Sequence, residues 1–371
     1  MKTLIEPTRI HDYIRELLPW AHGHQIKSIA TFVIAIIEKQ TGNQAELART
    51  HGNQESAVKR LSRLIHNQRL RPGQLSEWIC RQTLIRIPRS GTVRLAIDWT
   101  TEDTQHLLVV SLIVGRRAMP IYWHAYDQSV LKGRMKRFER AVIRRAFKLI
   151  FQVIEPARVR LTADRGFPDH SLFELLDQLG VNFVVRVKGS TKVKYQGEWV
   201  KLNQIRFYRN ERRRNLGCID YCQNSPHRLH VTISRVRDKK GQWGVWYLVS
   251  NQRLRAQQAA KEYGFRFGCE EGFRDVKWDL GFKDSRVRQI HAWSRLFALF
   301  AIALSALTTL AMALLVRNRT RARDLLRRVA SRRLARCELS LIAATIALIK
   351  QEPALLDELS MSTKLRLLYD L

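Results

Sequence analysis

Acidic residues are scarce in this 371-residue sequence: 33 Asp and Glu face 65 Lys and Arg, leaving a formal charge of +32 and a calculated pI near 10.8. That deficit disfavours cationic partners and predicts work on a polyanion, nucleic acid first. Cysteine is sparse too. The five cysteines, Cys80, Cys218, Cys222, Cys269 and Cys337, are scattered and odd in number, and no secretory signal precedes them. A disulfide framework is therefore not expected, and the chain reads as cytoplasmic. Cys218 and Cys222 stand near His227 and His230, but their spacing fits no standard zinc pattern. Long apolar runs are rare as well. The exception is LFALFAIALSALTTLAMALLV, residues 296–316, with no charge for 21 residues. It is long enough to cross a bilayer, yet its alanine content and its Ser305, Thr308 and Thr309 point to a helix buried in a large core, with no membrane involved.

What is present reads in order. Apolar content of 45% suits a chain that buries a real core. Residues 1–86 show helical spacing in YIRELLPW, KSIATFVIAIIEKQ and ESAVKRLSRLIHN, broken at Gly42 and Gly52. NQAELARTHGNQESAVKRLSRLI has the cadence of a helix-turn-helix. Its second helix would carry Lys59, Arg60 and Arg63 outward beside buried Val58, Leu61 and Leu64, for DNA contact; an ordinary helical hairpin is the alternative.

After Pro88 the period changes. TVRLAID, HLLVVSLIV and PIYWHAY predict consecutive antiparallel strands, followed by a helix near 130–153, a strand VRLTAD, a helix starting near Pro168 and a strand VNFVVRVK. This is the element order of an α/β mixed sheet with helices packed on it. It places Asp98 and Asp164 at the C-terminal ends of strands. Aspartates there often cap turns, but paired carboxylates are also what a hard divalent cation needs.

A third carboxylate lies in YGFRFGCEEGFRDVKWDLG, residues 263–281. On a continuous helix Tyr263, Arg266, Glu270 and Lys277 share about 60° of arc, with Arg274 beside them. Phe265, Cys269, Phe273, Val276 and Leu280 form a separate apolar face for packing on a sheet. A solvated face of ion pairs explains the charges; it does not explain the tyrosine, nor why Gly264, Gly268 and Gly272 weaken the helix.

These residues resemble a known family. The spacing Tyr263-x2-Arg266-x3-Glu270-x6-Lys277 resembles the Tyr-Arg-Glu-Lys signature of the DDE transposases of cut-and-paste insertion sequences of the IS-four type. AIDWT at Asp98 and TADRGF at Asp164 are similar to that family's first two acidic motifs, and WYLVSN at 246–251 to the strand before its signature helix. The resemblance covers roughly residues 90–315. Cys269, Gly272 and Trp99 depart from the residue types more usual at those places, and none removes a ligand.

The resemblance implies an RNase H-like catalytic core in two parts, 87–190 and 256–316, with a β-rich insertion at 191–255. A helical DNA-binding domain at 1–86 and a basic helical region at 317–371 flank it; nine arginines crowd residues 317–336. It further implies two Mg²⁺ ions, replaceable by Mn²⁺, on Asp98, Asp164 and Glu270. Tyr263, Arg266 and Lys277 would hold phosphates, with Arg274 and Arg165 nearby, and Trp246 would stack on a flipped base. The implied partners are the inverted-repeat ends of the element and target duplex DNA, bound by a homodimer at the bacterial nucleoid. A nuclease that cuts without joining, and a catalytically silent DNA-binding regulator of the same descent, remain the alternatives.

Overall fold

The computed structural model describes residues 7–49, 54–115, 117–237, 241–330 and 339–365. At the N-terminus lie α1 (Pro7–Leu17), α2 (Gly23–Lys39), α3 (Gln44–Ala48), α4 (Gln54–His66) and α5 (Pro72–Leu84). Helical spacing decides what each buries: Ile10, Tyr13, Ile14 and Leu17 of α1 face inward together. On α4, Leu61, Leu64 and Ile65 are buried while Lys59, Arg60 and Arg63 are exposed; Val58 is only partly buried. The expected turn at Gly52 lies outside the described residues.

A single ten-stranded sheet crosses the molecule in the order β3-β2-β1-β4-β5-β10-β9-β8-β6-β7. Its first strands, β1 (Val93–Glu102), β2 (Gln105–Val114) and β3 (Arg117–Asp127), form an antiparallel meander, as their alternating aliphatic runs predict. Parallel neighbours need a crossover. From β3 the chain passes through α6 (Gln128–Leu131) and α7 (Met135–Ile150) to β4 (Val159–Ala163), then through α8 (His170–Gln178) to β5 (Asn182–Val187). The helix expected over 130–153 is thus two pieces, separated at Gly133, whose φ of +71° suits glycine.

The β-rich stretch comprises β6 (Lys192–Tyr195), β7 (Glu198–Lys201), β8 (Arg213–Tyr221), β9 (His227–Arg237) and β10 (Trp243–Ser250). β10 pairs antiparallel with β5, so these strands continue the same sheet.

Then come α9 (Ala256–Gly264), α10 (Phe267–Arg274) and α11 (Ile290–Ala311), and finally α12 (Arg319–Val329) and α13 (Leu341–Gln351). The uncharged run lies in α11 and the π-turn that extends it to Val316, and it is packed inside the protein. Its mid-helix hydroxyls are satisfied there: the Tyr13 hydroxyl lies 2.8 Å from Ser305 Oγ, and the buried Arg86 guanidinium donates to Thr309 Oγ1 at 2.7 Å. Arg328 on α12 is paired with Glu352 at 2.6 Å, and Arg321 with Glu358. Residues 331–338 of the basic run lie outside the described residues.

Gly272 is where α10 meets β3. A Cβ there would stand 2.2 Å from the Ala118 carbonyl oxygen, whereas one at Gly264 would meet nothing within 4 Å. At Gly272, then, the lack of a side chain lets the protein's own strand come close to the helix. Gly272→Ala is expected to destabilise by about 1–3 kcal/mol through overpacking, and Gly264→Ala to be neutral or stabilising by up to about 1 kcal/mol. Urea unfolding of the two variants checks the contrast, and equal effects would count against it.

Candidate active site

Strand pairing brings the first two carboxylates together. β1 and β4 run parallel with Ile97 opposite Ala163 as their last register pair, so Asp98 and Asp164 follow as neighbours where that pairing stops. Asp164 stands just past β4, but Asp98, expected at a strand end, lies inside β1, which runs on to Glu102 because β2 continues to pair with it. The trailing edge of a parallel pair is where open α/β sheets bind ligands.

The third comes from the segment after β10, which is not the continuous helix that its spacing suggests. Between α9 and α10 the bonds shorten to i,i+3: Arg266 N–H donates to Tyr263 O at 2.9 Å and Cys269 N–H to Arg266 O at 2.8 Å. Past Arg274 they lengthen, with a π-turn over Asp275–Asp279 and Leu280 N–H donating to Asp275 O. A tightened turn and a widened one break the 3.6-residue register, so Tyr263, Arg266, Glu270 and Lys277 do not form one straight stripe. The apolar side is as expected: Phe265 and Cys269 pack on Ala96, Ile113 and Ala118, and Val276 and Leu280 enter the helical core.

The break turns the signature residues inward. The Tyr263 hydroxyl, its ring fully buried, donates to Asp164 Oδ1 at 2.9 Å. One guanidinium of Arg266 donates to Asp98 Oδ2 at 2.6 Å and to Glu270 Oε1 at 3.2 Å, and stands 3.7 Å from Asp164 Oδ2. All three carboxylates thus converge on one cation. Lys277 goes elsewhere, donating to Thr101 O at 2.7 Å and pairing with Glu102 at 3.2 Å on the end of β1. As the protein stands, then, these three residues bind its own strands and carboxylates. Arg274 is paired with Glu271, and Arg165 is exposed. Trp246 stacks on Phe267 with centroids 5.5 Å apart and meets Tyr263 edge-on at 4.9 Å, at the margin of the carboxylates.

The carboxylates are electrostatically unequal. Burial pushes Asp98 upward against the pull of Arg266. Burial also acts on the more open Asp164, but the Arg165 N–H, Arg266 and Tyr263 outweigh it and hold that carboxyl below its ordinary value. The Tyr263 phenol is pushed well up, chiefly by burial, so it stays protonated and can donate.

The donor set suits a hard divalent cation, since all three groups offer carboxylate oxygen. Arg266 Nε is buried with no partner, while the rest of its guanidinium fills the space between the acids. Among the described residues no three His, Cys, Asp or Glu side chains are near enough together to hold a metal ion. The residue types fit, but a cation could join them only if Arg266 gave up its place and the three carboxylates drew closer together.

Sequence reasoning missed what lies behind this centre. Glu262, one residue before Tyr263, takes a fork of two bonds from Arg94 at 2.7 and 2.6 Å and pairs with Arg160 at 3.1 Å. Arg94 and Arg160 are register partners on β1 and β4, and side-by-side like charges repel. The signal was available as two arginines at matching strand positions, which require an anion between them. The departures from the family pattern also have local reasons: Trp99 Nε1 donates to buried Glu139 at 3.0 Å, and Cys269 fills the small apolar contact under α10.

Two neighbouring carboxylates where β1 and β4 stop pairing, and a third on a covering helix, define an acidic site on a mixed α/β fold. Residues 139–306 match the family model described as the transposase DDE domain. The match takes in Asp164 and Glu270, begins after Asp98, and supports a DDE transposase. No curated protein matches the chain.

Burial raises the Glu262 carboxyl, but hydrogen bonds and charge from Arg94 and then Arg160 outweigh it and hold it below its ordinary 4.5. A carboxyl depressed by folding contributes stability that is complete above its unfolded value and lost as pH falls through the folded one. Glu262→Gln is expected to cost roughly 3–5 kcal/mol at neutral pH, as for breaking a buried pair. The gap to the unaltered protein should close as pH falls below 4.5. Urea unfolding across that pH range checks it; a gap independent of pH would rule out the ionic origin.

Proposed function

We propose that this protein is a cut-and-paste DNA transposase of the IS-four type, built on an RNase H-like core. It would bind the ends of its insertion sequence, cleave them and join the 3′-OH ends to target DNA. The observation that carries this reading is the convergence of Asp98, Asp164 and Glu270 on one guanidinium where the pairing of β1 with β4 stops. The strand order β3-β2-β1-β4-β5, with β1, β4 and β5 parallel, supports the fold assignment.

Asp98, Asp164 and Glu270 would hold Mg²⁺, or Mn²⁺ in its place. When bound, such ions stabilise the attacking and leaving oxygens of an in-line displacement at phosphorus. The protein's own residues do the rest. Tyr263 orients Asp164 through its hydroxyl, and the Arg94–Glu262–Arg160 cluster fixes α9 against the strands that bear the aspartates. Arg266 would turn from carboxylate to phosphate oxygen, since both are anionic acceptors for its guanidinium. Exposed Arg165 and Arg274 would meet a DNA backbone, with Lys277 joining them on leaving Thr101 and Glu102, and exposed Lys59, Arg60 and Arg63 would offer a second basic surface. Trp246 would cover an extruded base. Two subunits would pair across the DNA.

A DNA-binding regulator that never cuts is the second reading, favoured by the same guanidinium, which neutralises the acidic centre. A supercoiled plasmid carrying the gene's flanking DNA separates them. The unaltered protein with Mg²⁺ or Mn²⁺ is expected to release double-strand ends and form joined products. Glu270→Ala should slow both by more than about a hundredfold, beyond what loss of a residue that merely supports a ligand costs. Flank binding without cleavage in either metal would transfer the conclusion to the regulator.

A further inference from the structure

Away from the carboxylates, exposed aromatics and arginines gather at the outer part of β8–β10. Residues 206–214 read RFYRNERRR, five arginines with one acid, and Glu211 is occupied in accepting the Tyr208 N–H at 2.8 Å. In the β9–β10 ladder Trp243 lies opposite Arg237 and Val245 opposite Arg235, so alternation puts these four on one face. Arg235 N–H donates to Arg212 O at 2.8 Å, which draws Arg212 to the same place. An open cavity of about 700 Å³ results, lined by Asn210, Arg212, Arg235, Trp243 and Val245, with Glu211 as the one acid among the described residues of its wall. Trp246, three residues along β10, points the other way, to Tyr263 and Phe267.

Trp243 is 58% exposed and Tyr208 65%. Cations surround both: Arg212 and Arg237 lie 5.8 Å from the Trp243 ring centroid, and Arg214 lies 3.9 Å over Tyr208. Arg214 is fixed by Arg206 O and the Tyr195 hydroxyl, whereas Arg212 and Arg235 have no carboxylate partner among the described residues.

We propose that this face binds unpaired DNA, with a base stacked on Trp243 and phosphates on Arg212 and Arg235. The proposal rests on the nucleic-acid reading above but on none of its chemistry. A duplex keeps its base faces covered and would use only the arginines; an acidic peptide would likewise leave the indole bare. An unpaired strand supplies both a π-face and a phosphate at each step, and any base will serve.

The test uses the full chain and fluorescence anisotropy with three probes: a labelled oligothymidine of about 20 nucleotides, a duplex of the same length, and polyphosphate as competitor. Trp243→Ala is expected to weaken the oligothymidine about tenfold and the duplex less than about twofold, with Trp243→Phe recovering most of the loss. Arg212→Gln combined with Arg235→Gln should lower the salt slope for oligothymidine by about 1.4. Because Trp243 is largely exposed, its removal leaves no core cavity, and an unchanged melting temperature confirms that. Unchanged oligothymidine affinity in Trp243→Ala, or an equal loss on all three probes, overturns the proposal. Failure of plasmid cleavage leaves this result standing, and active cleavage with unaltered strand binding overturns this inference alone.

Discussion

Two carboxylates side by side where neighbouring parallel strands part repel each other unless a cation or a proton stands between them. Register sets the requirement, since Ile97 opposite Ala163 leaves Asp98 and Asp164 adjacent. Arg266 meets it and recruits Glu270 as a third acid. A guanidinium suits this role because its planar fork serves several oxygens at once and stays charged at any working pH. The placement of α9 and α10 follows from the need to bring that one side chain to the strand ends.

Getting it there constrains the backbone. A regular helix from Tyr263 to Lys277 would carry all four signature residues along one line and leave the carboxylate centre with one of them. The i,i+3 bonds at Arg266 and the π-turn at Asp275–Asp279 instead aim Tyr263 and Arg266 inward and send Lys277 to Thr101 and Glu102. The helix must also lie very near the sheet. Gly272 permits this, with the Ala118 carbonyl where a side chain would begin, and Cys269 fills the small space beside it.

Much of this was legible in the sequence. Alternating aliphatic runs marked β1, β2 and β3, and the short strand before Asp164 marked its place, because strand periodicity is a local property. The expected strand end at Asp98 was wrong, since β1 runs on to Glu102 through its pairing with β2. Segregation of Lys59, Arg60 and Arg63 from Leu61 and Leu64 is local too. The helix breaks were hidden, since hydrogen-bond shifts of one residue leave no mark on a 3.6-residue pattern. Partners distant in the chain were hidden for a different reason: Arg94 and Glu262 are 168 residues apart, and Arg266 is equally far from Asp98. The matching arginines on β1 and β4 gave the only clue to that pairing, and it becomes readable once the two strands are known to be parallel neighbours.

The scarcity of acid takes on a structural meaning at this point. Asp98, Asp164, Glu262 and Asp275 are all wholly or partly buried and engaged by arginine from another part of the fold, and buried Glu139 by Lys136 and Arg140 of its own helix. Each such pair cancels inside the protein, where the low dielectric makes an unpaired charge costly. Pairing removes equal numbers of both signs, so the excess of 65 basic over 33 acidic residues is left standing at the surface. It stands on α4, on the flank that bears Arg165, and on the arginine-rich turn before β8. The acidic centre therefore sits within a positive field. A polyanion would be drawn toward carboxylates that otherwise repel it, and the guanidinium between them would offset that repulsion.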